Sequence, residues 1–199
     1  MAGARLTQAD RRARSRAALL EATARALSRV GYGNLNLGAV AADAGYTRGA
    51  LYHQFADKEA LVLATVEWVR ETWFDEVGTV FDEDRAPVEA LVELARRHAV
   101  YCRRDIAGVM AALRVEFVAA DHPIGGALRA VMLELIARVQ RLIEAGRADG
   151  SIPPGPPAFA LASASLTAIE GAVIALAGHP GDDEEVAERV ARGLLGVQP

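Results

Sequence analysis

The chain has 199 residues, 52% hydrophobic and 24% charged, a globular balance that excludes disorder as its main state. Lys and Arg number 22 against 26 Asp and Glu, a formal net charge of −4 that reads, as an average, against a nucleic-acid partner. Its one cysteine, Cys102, excludes an intrachain disulfide framework and a multi-cysteine zinc site, so a reducing, intracellular setting is expected.

Residues 1–20 carry Arg5, Arg11, Arg12, Arg14 and Arg16 with no apolar run behind them, which does not read as a secretory signal. Helical spacing recurs almost everywhere, and sustained period-two alternation is not found, so the expected fold class is all-α. The first helix is expected from Thr7, which forms a capping-box pattern with Asp10. Leu20, Thr23, Leu27 and Val30 mark one face, and Gly31 stops it. Asn36 then caps a short helix over 37–44, ended by Gly45, and Thr47 caps another over 48–55. Two short helices joined by Gly45-Tyr46-Thr47 give a helix-turn-helix outline.

Asp57 caps a long helix expected over 58–81, closed by Asp82-Glu83-Asp84. Further helices are expected over 87–104, with Pro87 in the first turn, over 106–120, and over 125–147. The four prolines within 151–157 read as a connection. The last two helices are expected over 158–177 and 183–195, split by Gly178-His179-Pro180-Gly181. No window reaches the roughly 18 uninterrupted apolar residues of a membrane span. The most apolar stretch, 158–178, contains Ser163, Ser165, Thr167 and Glu170 and reads as a buried helix, so no membrane partner is expected.

The informative stretch is 31–61, GYGNLNLGAVAADAGYTRGALYHQFADKEAL. A duplex major groove is about 12 Å wide and admits one helix. A reading helix needs an apolar anchor on one face and small or polar residues on the other. Leu51 and Phe55, four apart, supply the anchor. Arg48, Gly49, Ala50, Tyr52 and His53 occupy the remaining face. Gly49 and Ala50 permit close approach, Arg48 reaches phosphate or guanine, and Tyr52 and His53 are able to donate to phosphates.

The stretch resembles the DNA-binding domain of the TetR family of one-component transcriptional regulators. The matching residues are Gly31-Tyr32, Val40-Ala41, Ala44-Gly45, Thr47, Gly49, Leu51-Tyr52, Phe55, Lys58-Glu59 and Leu61. The resemblance places Thr47, Arg48, Gly49, Ala50, Tyr52, His53 and Lys58 at DNA-contacting positions, with Asn36 touching the backbone. The chain departs from the usual pattern at Asn36, commonly Ser or Thr, and at Tyr46, commonly a small apolar residue. The implied organisation is a helix-turn-helix domain over 1–56 and a helical effector-binding and dimerisation domain over 57–199. The implied function is a ligand-responsive regulator, expected to be a repressor. It would bind a near-palindromic double-stranded DNA operator as a homodimer and be released by an unidentified small molecule, in the cytoplasm.

A pocket needs mostly apolar walls and few polar groups. Trp68, Trp73, Tyr101, Met110 and Phe117 are candidate walls, with His98 and Glu116 as polar groups. The small residues along 158–177 suit close packing with 183–195 and a partner's two helices, in a four-helix bundle. Burial within one chain is the alternative. Two other classes compete: an all-helical enzyme and a structural interaction protein without DNA binding. The enzyme would rest on His98 and Cys102, four apart, as a nucleophilic pair or, with Glu116, a metal site. No phosphate loop, dinucleotide fingerprint or metal motif accompanies them, so no catalysis, cofactor or metal is expected.

Charge is unevenly spread. Residues 1–61 hold nine basic and five acidic residues, a net of +4, which leaves −8 for the rest. The proposed reader is basic although the whole chain is acidic.

Overall fold

The computed structural model describes residues 7–117, 121–176 and 181–198. Among them all regular structure is helical: α1 (Gln8–Val30), α2 (Leu37–Asp43), α3 (Arg48–Tyr52), α4 (Lys58–Glu76), a 3-10 helix (Gly78–Phe81), α5 (Pro87–Tyr101), α6 (Val109–Phe117), α7 (Pro123–Ala148), α8 (Ala158–Ala175) and α9 (Asp183–Leu195). Arg5, the helix end expected at 118–120, Ala177 and the Gly178-His179-Pro180 turn lie outside the described residues.

The chain forms two compact units. The first comprises Met1–Arg70 with Asp105–Leu128, the second Glu71–Arg104 with Arg129–Pro199. In the first, Thr7 and Asp10 cap α1 reciprocally, as the pattern predicts. The inward face of α1 (Leu19, Ala22, Thr23, Leu27) is fully buried, and α1 packs on both α2 and α6. Thr23 satisfies its hydroxyl by donating to the Leu19 carbonyl at 2.6 Å. Leu51, Leu61, Val62, Leu113 and Ile124 are buried in the same unit. The segment 105–128 is therefore folded with the helix-turn-helix, from which it is far in sequence.

In the second unit α5 packs extensively on α9, and α8 on α9. Ala95 and Ala99 of α5, Ile169 and Val173 of α8, and Ala187 and Ala191 of α9 form one buried cluster. Four alanines there allow close helix approach. Ile152 anchors the proline-rich connection and is buried to 1% exposure. Gly146 makes room for it, since a Cβ there would meet the Ile152 side chain at 2.6 Å.

Four helices differ from expectation by three residues or more at a described end: α5 stops at Tyr101 rather than 104, α6 starts at Val109 rather than 106, and α4 and α3 both end early. The helix expected over 58–81 ends at Glu76 and tightens to a 3-10 helix at Gly78. Gly78 is a poor helix former, and a Cβ there would meet the Phe74 ring at 2.5 Å. The helix expected over 48–55 ends at Tyr52. The Gln54 N–H donates to the carbonyl of Leu51, three residues back, so the last turn tightens and Phe55 enters the core from it.

Candidate nucleic-acid interface

The helix-turn-helix is built from local caps. The Asn36 side-chain oxygen accepts from the Gly38 and Ala39 N–H groups at 2.9 and 3.1 Å, which starts α2. Gly45, at φ +78°, reverses the chain, and the Tyr46 N–H donates to the Ala41 carbonyl at 2.8 Å. The Thr47 hydroxyl accepts from the Ala50 N–H at 3.2 Å and starts α3. Leu51 is fully buried and Phe55 nearly so, which fixes the roll of α3. Arg48, Gly49, Tyr52 and His53 are consequently exposed, and Ala50 is half-buried. Open space surrounds Gly49 apart from the Thr47 hydroxyl, 3.8 Å from where a Cβ would sit.

Three cations near α3 rest on rings, while Arg25 of α1 pairs with Asp43 at the end of α2. The Arg48 guanidinium lies 5.5 Å from the Tyr52 ring centroid and donates to its hydroxyl at 3.2 Å. Arg16, on α1, lies 4.7 Å over Phe55, and the neighbouring Ser15 hydroxyl accepts from Gln54 at 2.7 Å. Lys58, first residue of α4, holds its ammonium 4.3 Å from the Tyr32 ring centroid. Among the described residues no carboxylate forms an ion pair with Arg16, Arg48 or Lys58. A ring holds a cation in place without neutralising it, so these charges remain available to phosphate.

The turn after α1 is held from a distance. Gly31 takes φ +70°. The Glu116 carboxylate accepts from the Tyr32 and Gly33 N–H groups at 2.7 and 3.0 Å. Phe117 meets the Tyr32 ring edge-on at 5.2 Å, and His122 lies 4.6 Å from Phe117. His122 Nε2 sits 3.3 Å from Glu59. Burial, helped by Glu59 and Asp57, pushes the Tyr32 phenol above its ordinary pKa, so the ring stays neutral. Tyr32 as a support and Glu116 as its holder were not expected from sequence, because neither follows from spacing along one helix.

The predicted effector residues divide between the units. Trp68, Met110, Glu116 and Phe117 belong to the first, and the last two serve the turn just described. Trp73, His98 and Tyr101 belong to the second. Trp73 and His98 meet: the indole N–H donates to His98 Nδ1 at 3.1 Å. The neutral ring then carries its proton on Nε2, which faces the Cys102 sulfur at 3.5 Å. Burial, with Glu170 and Asp183, pushes the Cys102 thiol up to about 12, the reverse of nucleophile activation. Tyr101 is buried, and among the described residues its hydroxyl has no hydrogen-bond partner. Among the described residues no group of three or more His, Cys, Asp or Glu is placed to hold a metal ion.

Comparison with known proteins places the helix-turn-helix. Residues 19–65 match the family described as bacterial regulatory proteins, tetR family. The A-factor receptor protein of Streptomyces griseus is 26% identical over 140 residues, covering 68% of this chain and 45% of that protein. The chain thus spans less than half the length of this relative. A TetR-family transcriptional regulator from Streptomyces coelicolor superposes with a TM-score of 0.76 at 20% identity, covering 92% of this chain and 95% of that one. AibR, solved with isovaleryl coenzyme A and operator DNA, superposes with a TM-score of 0.69 at 20% identity, covering 92% and 96%. The all-helical fold of this chain is that of these regulators.

Proposed function

The N-terminal domain belongs to the tetR family of bacterial regulatory proteins, and from that premise we propose that the chain is a ligand-responsive transcriptional repressor. It binds a near-palindromic operator as a homodimer and leaves it when a small molecule binds. The observation that carries the reading is the outward face of α3, with Arg48 and Tyr52 paired and exposed above a buried Leu51. In this reading residues 1–56 read DNA and 57–199 bind effector and dimerise. Arg48, Gly49, Ala50 and Tyr52 approach base edges and phosphates, and Asn36, Thr47, His53 and Lys58 contact the backbone. Two copies of α3 would enter successive major grooves about 34–36 Å apart.

A stripe on α8 supports the dimer. Ala160, Ala164, Thr167, Gly171 and Ala175 recur at spacings of three and four and are all exposed, with Phe159 at 51% and Ile174 at 58% exposure beside them. The helix has a mean hydropathy of 1.7 and is long and apolar enough to cross a membrane on length and composition alone. A smooth apolar stripe beside a helix packed on α9 is better satisfied by a second copy. The candidate effector contacts are Trp73, Tyr101 and His98 within the second unit and, separately, Trp68 and Met110 within the first, where Glu116 and Phe117 are taken up by the turn after α1. AibR, solved with isovaleryl coenzyme A and operator DNA, supports the pairing of these two kinds of ligand in one fold. The protein acts in the cytoplasm and is not an enzyme.

Genomic binding-site selection with the purified protein tests the reading. A recovered palindrome, bound with steep salt dependence, is the expected result. Salt-independent association, or no enriched sequence, overturns it. Gly171→Arg should convert a dimer to a monomer in sedimentation, and a wild-type monomer at micromolar concentration removes the two-half-site mechanism.

A further inference from the structure

Among the ring-borne cations just described, Lys58 draws its support from outside the helix-turn-helix. Its ammonium rests on Tyr32, and Tyr32 is placed by residues 84 and 85 positions later in the chain. The Glu116 carboxylate grips the N–H groups of Tyr32 and Gly33. Phe117 abuts the edge of the Tyr32 ring, and His122 stands 6.2 Å from it while reaching Glu59, the neighbour of Lys58. Gly31 completes the arrangement: a Cβ there would collide with the Glu116 carboxylate. The turn is therefore shaped around this carboxylate, and the carboxylate is fully engaged by the turn.

Resting on the DNA-binding reading above, we propose that Glu116 is a positioning residue for the phosphate clamp. By holding the Tyr32–Gly33 turn, it sets the ring on which Lys58 is poised toward the duplex. A lysine has several rotatable bonds, and ordering it at a phosphate costs entropy. A ring face restricts those rotamers before DNA arrives. Anchoring the ring from 105–128 makes the clamp depend on where that segment sits. Net electrostatics acts in the opposite direction. Glu116 is an acid near the reader, and removing its charge alone would strengthen DNA binding.

That opposition makes Glu116→Gln diagnostic. The amide keeps the size, removes one acceptor, and turns an NH2 toward a backbone N–H. Binding is measured by fluorescence anisotropy on a labelled duplex carrying the selected palindrome, over a range of salt concentrations. The expected result is a weakening of about threefold to tenfold and a loss of about 0.9 per half-site in the slope of log K against log salt, as for one phosphate contact. Lys58→Ala should give the same slope, and the double variant should add little to either. Unchanged slope in Glu116→Gln with a normal loss in Lys58→Ala overturns the proposal alone. Full additivity in the double variant also overturns it. Unchanged binding in Lys58→Ala removes the clamp itself, and the DNA role of Lys58 falls with it. Should Glu116→Gln fail to fold, Tyr32→Leu keeps apolar bulk while deleting the ring face, and the same slope loss is expected. A slope equal to wild type in a folded Tyr32→Leu overturns the proposal.

Discussion

The cations around α3 and those on and just after α5 are held in different ways. Around α3 the cations lie on Tyr52, Phe55 and Tyr32. On and just after α5 they lie on carboxylates, whereas away from these two places the pattern mixes, with Arg25 paired to Glu21 and Asp43 and Arg138 lying over Phe74 and Phe81. Arg97 bridges Glu83 and Glu93, and Arg103 holds Asp183 through two hydrogen bonds of 2.8 and 2.9 Å. Arg96 and Arg192 share Glu188, and Arg104 pairs with Glu76. A ring orients a cation and leaves its charge uncompensated; a carboxylate cancels it. Arginine content alone therefore says little about DNA. What matters is the partner each arginine has in the fold.

The largest expected effect tests whether the ring-borne cations need the buried anchor beneath them. Leu51→Ala should destabilise the first unit by about 3 kcal/mol, as a fully buried leucine truncated to alanine. Denaturant unfolding measures it, and DNA binding should be lost with the fold. The comparison itself is tested by exchange of sites. Arg48→Ala should weaken operator binding about tenfold and flatten its salt dependence. Arg97→Ala, which breaks pairs with Glu83 and Glu93, should leave DNA affinity within about twofold while lowering the melting temperature. Equal losses in DNA affinity from the two variants would dissolve the distinction.

A smaller effect concerns acid. The Arg97 and Arg85 hydrogen bonds lower the Glu83 carboxyl from 4.5 to about 2. Arg103, with backbone N–H groups, lowers Asp183 further below its usual range. A carboxylate with a depressed folded-state pKa contributes its stability in full above the unfolded value. That contribution is lost as pH falls through the folded value. The second unit should therefore lose the Glu83 contribution between about pH 4.5 and 2 and keep that of Asp183 to lower pH, and Glu83→Gln should make melting less steep in pH over that window. The smallest effect is chemical. With its thiol at about 12, Cys102 should alkylate slowly with iodoacetamide at about pH 8 relative to a free thiol. Rapid alkylation of the folded protein would show the His98–Cys102 contact to be other than described.

Much of the first unit was legible because its signals are local. Thr7 with Asp10, Asn36, Thr47 and Asp57 each cap the helix that follows within three residues, and each does so in the structure. Gly31 and Gly45 end helices in positive φ, as a glycine after an apolar face predicts. Less was legible where a neighbour decides. The break after Glu76 depends on Phe74 folding over Gly78, and the early end of α3 depends on Phe55 turning inward. Periodicity continues smoothly through both places and carries no sign of either.

The amino-acid order by itself determined the all-helical class, the helix-turn-helix, its buried and outward faces, and the basic character of residues 1–61. Those properties follow from caps, spacing and charge within a few turns of chain. Only the tertiary structure decided which cations are neutralised, that 105–128 folds with the reader, and that Glu116 spends its charge on the turn after α1. These depend on side chains brought together from 84 positions apart, and hydrogen bonds and ring contacts at that separation leave no periodic trace in the sequence.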